Sequence, residues 1–217
     1  GLEQQKIQVS DRDFTDILPP ALASQDEETE LSGFLLNLRY RDLDRRINPS
    51  DGVHLRWLNS MYTTELGGTA EFAKTHIFYD WYKPLGGDDL SGEPAHSVHF
   101  RFGAGYAAPF GESDSIPYTE RFFLGGYKTL RGFDFRGVGP NEGDAPLGGE
   151  SVLNMSFEYR LPLYATTRPG TFDKVEMFRL ILFTDAGILG PEDGDLDFDE
   201  LRASAGFGLG LTYPLPV

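Results

Sequence analysis

From Leu201 to Tyr213 the chain alternates with period two. Leu201, Ala203, Ala205, Phe207, Leu209, Leu211 and Tyr213 are apolar, and Arg202, Ser204, Gly206, Gly208, Gly210 and Thr212 stand between them. Successive side chains of a strand point to opposite faces, so this spacing predicts a strand with one apolar face and one small or polar face. The same pattern recurs between 97 and 107, where Val98, Phe100, Phe102, Ala104 and Tyr106 oppose His99, Arg101, Gly103 and Gly105. It recurs again where Leu153, Met155, Phe157, Tyr159 and Leu161 oppose Asn154, Ser156, Glu158 and Arg160, and where Phe34, Leu36, Leu38 and Tyr40 oppose Asn37, Arg39 and Arg41. Segments 53–63, 70–83 and 175–187 alternate less cleanly, and 1–10 least of all. About eight strands are expected, and any helix should be confined to the loops.

Two architectures use such strands. A soluble sandwich turns its apolar faces inward onto a core and its polar faces to water. A transmembrane barrel turns apolar side chains to lipid and polar ones to its lumen. The alternating runs here reach 10 to 13 residues, which suits the roughly 9–11 residues of a tilted membrane-crossing strand better than the 5–6 of an average soluble one. The pattern therefore predicts an all-β, antiparallel transmembrane β-barrel. Gap lengths agree with it. The gaps at 42–51, 84–95 and 162–174 run 10 to 13 residues, whereas those at 11–32, 65–69, 108–149 and 188–200 vary from 5 to 42. Barrels keep one rim short and let the other vary, so the two sets should lie at opposite ends of the strands.

Composition narrows the class further. The chain has 217 residues, 34 acidic and 19 basic, for a formal charge of −15, and no cysteine. That balance argues against nucleic-acid binding, which needs Lys and Arg to displace phosphate counterions. The densest apolar run, Leu180 to Phe183, falls far short of the roughly 18 residues of a membrane-spanning helix. Without cysteine, disulfide scaffolds and thiolate zinc sites are excluded. Twenty-six glycines and 17 phenylalanines suit strands joined by turns. The opening Gly1-Leu2-Glu3-Gln4 has no basic n-region or apolar h-region, so the chain reads as mature protein or a fragment. No composition shift marks a second domain, and residues 1–217 read as one barrel segment.

The 42-residue gap at 108–149 is too long for an idle hairpin loop. It carries Glu120-Arg121-Phe122-Phe123-Leu124-Gly125-Gly126, then Leu130-Arg131-Gly132-Phe133, then Gly137-Val138-Gly139-Pro140. This run resembles the large extracellular loop of the BamA-type outer-membrane assembly proteins, whose signature is a hydrophobic-Arg-Gly-aromatic tetrad after a Phe-x-x-Gly-Gly approach (here Phe122, Gly125 and Gly126). Further matches follow in the family's order: Gly148-Gly149, Glu158 before Leu161-Pro162, Phe183-Thr184-Asp185-Ala186-Gly187, and Ser204-Ala205-Gly206-Phe207-Gly208. Upstream, Asp42-x-x-Arg45 and Pro49-x-x-Gly52 resemble a family turn. The resemblance covers residues 33 to 213. It implies a partial barrel, about eight strands of the family's sixteen, with no POTRA domain in this chain.

The resemblance also implies roles. Parity puts Glu158 with Asn154 and Ser156 on one face, and Asp185 with Arg179 on one face; the family turns these faces to the lumen. A loop of this length can fold back inside, so the resemblance implies that Arg131 engages Glu158 and Asp185 through the two-pronged guanidinium fork that a lysine lacks. Gly132 would allow a tight turn and Phe133 would pack on the wall. The plainer reading is a solvated loop arginine.

Other constellations carry less. His96 and His99 lie on opposite faces of one strand and cannot share a metal; His54 and His76 are isolated. Asp193, Asp195, Asp197 and Asp199 resemble a calcium loop but lack its glycine and its spaced glutamate, so a solvated loop is expected. No Gly-x-Ser-x-Gly elbow, phosphate loop or His-Glu-x-x-His is present, and no enzymatic activity, cofactor or metal is expected. Gly206, Gly208 and Gly210 share a face, which points to strand bending or close packing.

The leading expectation is insertion or translocation of proteins at a cell outer membrane, bacterial or organelle-derived. The partners implied by the resemblance are outer-membrane lipid, unfolded outer-membrane client proteins and assembly-machinery lipoproteins. Two alternatives are the translocator barrel of a surface-exposed patatin-like lipase and a soluble carbohydrate-binding β-sandwich.

Overall fold

The computed structural model describes residues 2–7, 29–86, 96–167, 174–191 and 194–211. Eight strands form one antiparallel sheet: β1 (Leu2–Ile7), β2 (Thr29–Leu43), β3 (Gly52–Tyr62), β4 (Phe72–Pro84), β5 (Ser97–Pro109), β8 (Ser151–Thr167), β9 (Lys174–Gly190) and β10 (Arg202–Leu211). Two residue pairs in the long loop, β6 (Asn141–Glu142) and β7 (Ala145–Pro146), make a small separate hairpin. Every strand of the large sheet pairs with its neighbours in chain order, and β1 and β10 are its two edges. The sheet is an open wall. Among the described residues the helical pieces are 3₁₀ turns at Thr64–Leu66, Tyr118–Glu120 and Phe198–Glu200, all in loops.

Among the described residues no second large sheet stacks on this one, which leaves the sandwich reading without its core. The register shows why the apolar positions recur as they do. Tyr40 faces Leu55, which faces Tyr79, then Phe102, Met155, Ala186 and Ala203, so one row of apolar side chains runs across seven strands. These side chains stay outward: Tyr40 is 59% exposed, Leu55 36% and Met155 39%. A soluble protein seldom exposes a contiguous patch of this size. The opposite face buries polar groups instead, with His99 at 0%, Asp185 at 2% and Glu158 at 6%.

Leu43 pairs with Gly52, Pro84 with Ser97 and Thr167 with Lys174, which gathers the three short connections at one rim. Ile7 with Thr29, Tyr62 with Phe72, Tyr106 with Ser151 and Arg202 with Gly187 place the variable connections at the other. Several strand ends shift by a few residues from the sequence reading, β2 beginning already at Thr29, and two departures have a local cause. β8 and β9 run through most of the gap expected at 162–174, because register shifts between Pro162 and Ala165 absorb a residue that has no N–H for the ladder. In the turn resembling the family's Asp-x-x-Arg, the carboxylate that closes it is Asp44 rather than Asp42. It accepts from Ser50 N (3.0 Å), Ser50 Oγ (2.7 Å) and Asp51 N (3.2 Å).

The inner face is not uniformly polar. Near the variable rim Leu31, Tyr62, Phe72, Ala107, Val152 and Leu189 point inward and are buried against Ile116, Phe122, Leu124, Leu130 and Val138 of the long loop. Covering one such leucine is worth about 1.5–3 kcal/mol. The loop is thus a plug with its own apolar core, seated inside the wall.

Candidate functional site

The long loop leaves β5 at Pro109 and rejoins the sheet at Ser151. Its outgoing leg is held by Glu71, a buried residue just before β4. Oε2 of Glu71 accepts from Glu112 N (3.0 Å), and Oε1 accepts from Thr64 Oγ1 (2.9 Å), Thr64 N (3.3 Å) and Thr63 Oγ1 (3.2 Å). Its own N–H donates to Ser113 Oγ at 2.8 Å. The Glu112 N–H, then the Thr64 hydroxyl and N–H, outweigh burial and hold the Glu71 carboxyl below the usual carboxylate range. Lys74, on the inner face of β4, donates to the Glu120 carbonyl (2.5 Å) and carboxylate (3.2 Å).

Beyond that anchor the loop folds as a bent hairpin. Phe122 N and O pair with Gly149 O and N at 2.8 and 2.9 Å, Leu124 bridges Val138, and Gly126 bridges Leu130. The hairpin turns at Gly125 and Gly126, with φ of 114° and 92°. A Cβ on Gly125 would lie 2.4 Å from the Asp134 carbonyl oxygen, so no other residue fits there. Thr129 Oγ1 closes the turn, accepting from Gly125 N (3.1 Å) and donating to Gly125 O (2.9 Å). Phe122 lies edge-on to His76, with ring centroids 5.1 Å apart, and Phe133 packs on the apolar cluster.

This fold delivers Arg131 to the inner face of β8 and β9. Its peptide N–H, Nε and Nη2 donate to Asp185 at 3.1, 2.7 and 2.6 Å. Nη1 donates to Glu158 Oε1 at 2.7 Å, and Nη2 donates also to Ser156 Oγ at 2.8 Å. The guanidinium carbon stands 3.7 Å from the Phe183 ring centroid, a cation–π stack. Asp185 and Ser156 are direct neighbours across β8 and β9, as are Glu158 and Phe183, so the register presents all four as one receptor. Leu130 beside it is fully buried. Arg131 itself is 22% exposed and lines a lumenal cavity of about 590 Å³ together with Arg56, Asp80, Arg101 and Phe122.

Sequence reasoning missed the network behind Glu158. Arg160 donates to Glu158 Oε2 through Nε (2.9 Å) and Nη2 (2.7 Å), which leaves Oε1 to Arg131. Arg160 Nη2 also lies 2.8 Å from His99 Nδ1. His99 Nδ1 lies also 3.2 Å from Glu158 Oε2, and Nε2 meets Asp80 Oδ1 at 2.9 Å, so the ring bridges the two carboxylates. Arg101 Nε reaches the same Asp80 oxygen at 3.1 Å. His99 is fully buried and stacked flat on Tyr82, with centroids 4.2 Å apart. The sequence reading gave His99 no role beyond being unable to share a metal with His96; here it sits at the centre of a charged network. Its parity with Arg101 on the polar face was the available signal. His96, on the other face, meets the Tyr159 hydroxyl at 2.6 Å.

The remaining candidates sort plainly. Gly206 makes room for Phe183, whose ring atom would lie 2.7 Å from an added Cβ, and Gly210 makes room for Arg179. Close packing is therefore the reason for glycine at both, and at Gly206 it serves the ring on which Arg131 stacks. Of the acidic run, Asp193 lies outside the described residues; Asp195, Asp197 and Asp199 are exposed, and Asp197 caps a 3₁₀ turn by accepting from Asp199 N at 3.0 Å.

The family model for the Omp85 superfamily domain matches residues 1–217. The outer membrane protein assembly factor BamA of Nitratidesulfovibrio vulgaris is 25% identical over 175 residues, covering 79% of this chain and 20% of that protein. The mouse sorting and assembly machinery component 50 homolog is 33% identical over 124 residues, covering 57% of this chain and 24% of that protein. The crystal structure of BamA from Haemophilus ducreyi lacking POTRA domains 1–3 superposes with a TM-score of 0.72 at 20% identity, over 87% of this chain and 37% of that one. This chain therefore spans about a fifth to a quarter of the length of these two curated relatives.

Proposed function

Because this chain belongs to the Omp85 superfamily, we propose that it forms half of the wall, and the plug loop, of an outer-membrane barrel that inserts other β-barrel proteins. The relatives named as assembly factors come from bacteria and from animals, and the proposed location is the outer membrane of a cell or organelle. The work is mechanical. Such a barrel offers strand edges to unfolded client segments, which gain backbone pairing as in β-augmentation, and partner lipoproteins belong to the same reading. Residues 1–217 act as one segment of that barrel, and no covalent chemistry is assigned to it.

The observation that carries this reading is the grip of Arg131 on Asp185 and Glu158. Leu130, Arg131, Gly132 and Phe133 form the tip of the plug, and Phe122, Gly125 and Gly126 its approach. The ion pairs hold the plug against β8 and β9, fixing the curvature of the wall while clients pair elsewhere. The test is Arg131→Ala in the full-length protein reconstituted in lipid vesicles. Client-barrel insertion should fall at least tenfold while the variant's own barrel still folds, and Arg131→Lys should recover part of the loss. Full activity of Arg131→Ala would refute the role.

A further inference from the structure

The outward face of β3 and β4 is interrupted by a groove of about 620 Å³ near the variable rim. Phe34 and Leu36 wall one side and Tyr106 the other, and Ala73 and Ala108 leave the floor low between them. A polar chain lies in this otherwise apolar belt. The Trp57 indole N–H donates to Thr75 Oγ1 at 2.9 Å, and the Thr75 hydroxyl donates to Asn59 Oδ1 at 2.9 Å. Both donors are thereby satisfied, and the Asn59 oxygen has a donor. The Asn59 amide nitrogen carries two hydrogens, and the Leu36 carbonyl takes one, at a long 3.4 Å. The second finds no acceptor among the described residues. In hydrocarbon such an unpaired N–H is strongly unfavourable, and a neighbour in the membrane that brings an acceptor is correspondingly favoured.

We propose that this groove is a lipid site, in which Asn59 Nδ2 donates to the ester carbonyl of an acylated lipid and the attached chain lies between Phe34 and Tyr106. Position and charge both select that part of the lipid. Asn59 stands three residues before the strand end at Tyr62, about 10 Å along a strand, within reach of the boundary between headgroups and hydrocarbon. Among the described residues no charge faces the groove. Lys74 borders it, but its ammonium is turned to the other face of the sheet, on Glu120. A phosphate would find no cation there to balance its charge; a neutral carbonyl needs none. The site lies mid-sheet, on strands paired on both sides, so it is complete within this chain.

The inference rests on the reading of the sheet as a membrane wall, and the experiment separates the two. The full-length protein is reconstituted in vesicles holding equal amounts of diacyl (ester) and dialkyl (ether) phosphatidylcholine. It is then floated, extracted, and its retained lipid counted by mass spectrometry. Retained lipid should be enriched in the ester form by about tenfold, the effect of one hydrogen bond. Asn59→Leu, which removes a polar group from the belt and leaves inner-face contacts alone, should return the ratio to that of the membrane. Tyr106→Ala should lower retention of both lipids. Protein that floats with vesicles but holds ester and ether lipid equally, or an Asn59→Leu variant with undiminished enrichment, overturns the lipid site alone. Protein that does not float overturns the membrane reading as well.

Discussion

Asp185 receives three hydrogen bonds from Arg131, two from the guanidinium and one from the peptide N–H. The backbone bond makes the contact more than an ion pair. It fixes where the loop tip lies as well as where its charge points, and it places the Asp185 carboxylate differently from that of Glu158, which holds the side chain alone.

An asymmetry between the two carboxylates is therefore expected. Removing one member of a buried pair costs about 3–5 kcal/mol in a dry interior, and water in the lumen lowers that figure. Asp185→Ala should free the loop tip and raise protease cleavage between 122 and 138. Glu158→Gln should leave the tip in place and lower barrel stability only modestly. Equal cleavage of both variants would show that the backbone bond adds nothing.

Gly206 should tolerate no side chain. An added Cβ would meet the Phe183 ring at 2.7 Å, and displacing that ring removes the surface on which Arg131 stacks at 3.7 Å. Gly206→Ala should lower stability by about 1–3 kcal/mol, the usual cost of overpacking, read as an earlier heat-induced gel shift of the barrel. Gly208→Ala is the control, since nothing lies within 4 Å of its added Cβ.

His99→Phe keeps the flat stack on Tyr82 and removes both ring nitrogens. Asp80, Glu158 and Arg160 then each lose a polar contact. A loss of about 1–3 kcal/mol in urea melts is expected from an unpaired buried group. His99→Ala should cost more, because the stack goes too. A His99→Phe protein as stable as the parent would demote this network to packing.

Glu71 gives a pH dependence with a definite sign. Its folded carboxyl lies below the ordinary value of 4.5, so its contribution is fully present above about pH 4.5 and is lost as pH falls through the folded value. Lowering the pH from 5 should progressively expose the loop at 110–113 to protease. Glu71→Gln should abolish that slope and show raised cleavage already at neutral pH. A slope that survives the substitution would assign it to other carboxylates.

The period-two pattern determined strand number, the outward belt and the division of loops between rims, because side-chain direction in a strand depends on parity alone. That rule is local, so it could be read from single segments such as 97–107 and 152–161. It could also place Glu158 on the inner face, where Ser156 and Asn154 share its parity. The association of Arg131 with Asp185 was legible only through the order of motifs; nothing in the local chemistry of either residue announces a partner 54 positions away. The apolar plug was invisible for the same reason. Leu31, Phe72 and Leu189 break the polar-inside rule, and only the returning loop explains them. Tertiary structure alone decided which oxygen of Glu158 faces Arg131, since Arg160 occupies the other. It likewise decided that His99 is central and that Asn59 keeps a spare donor. Parity gives each side chain a face, but a hydrogen-bond partner depends on register between strands and on where a 42-residue loop comes to rest, and those are set by the packing of the whole wall.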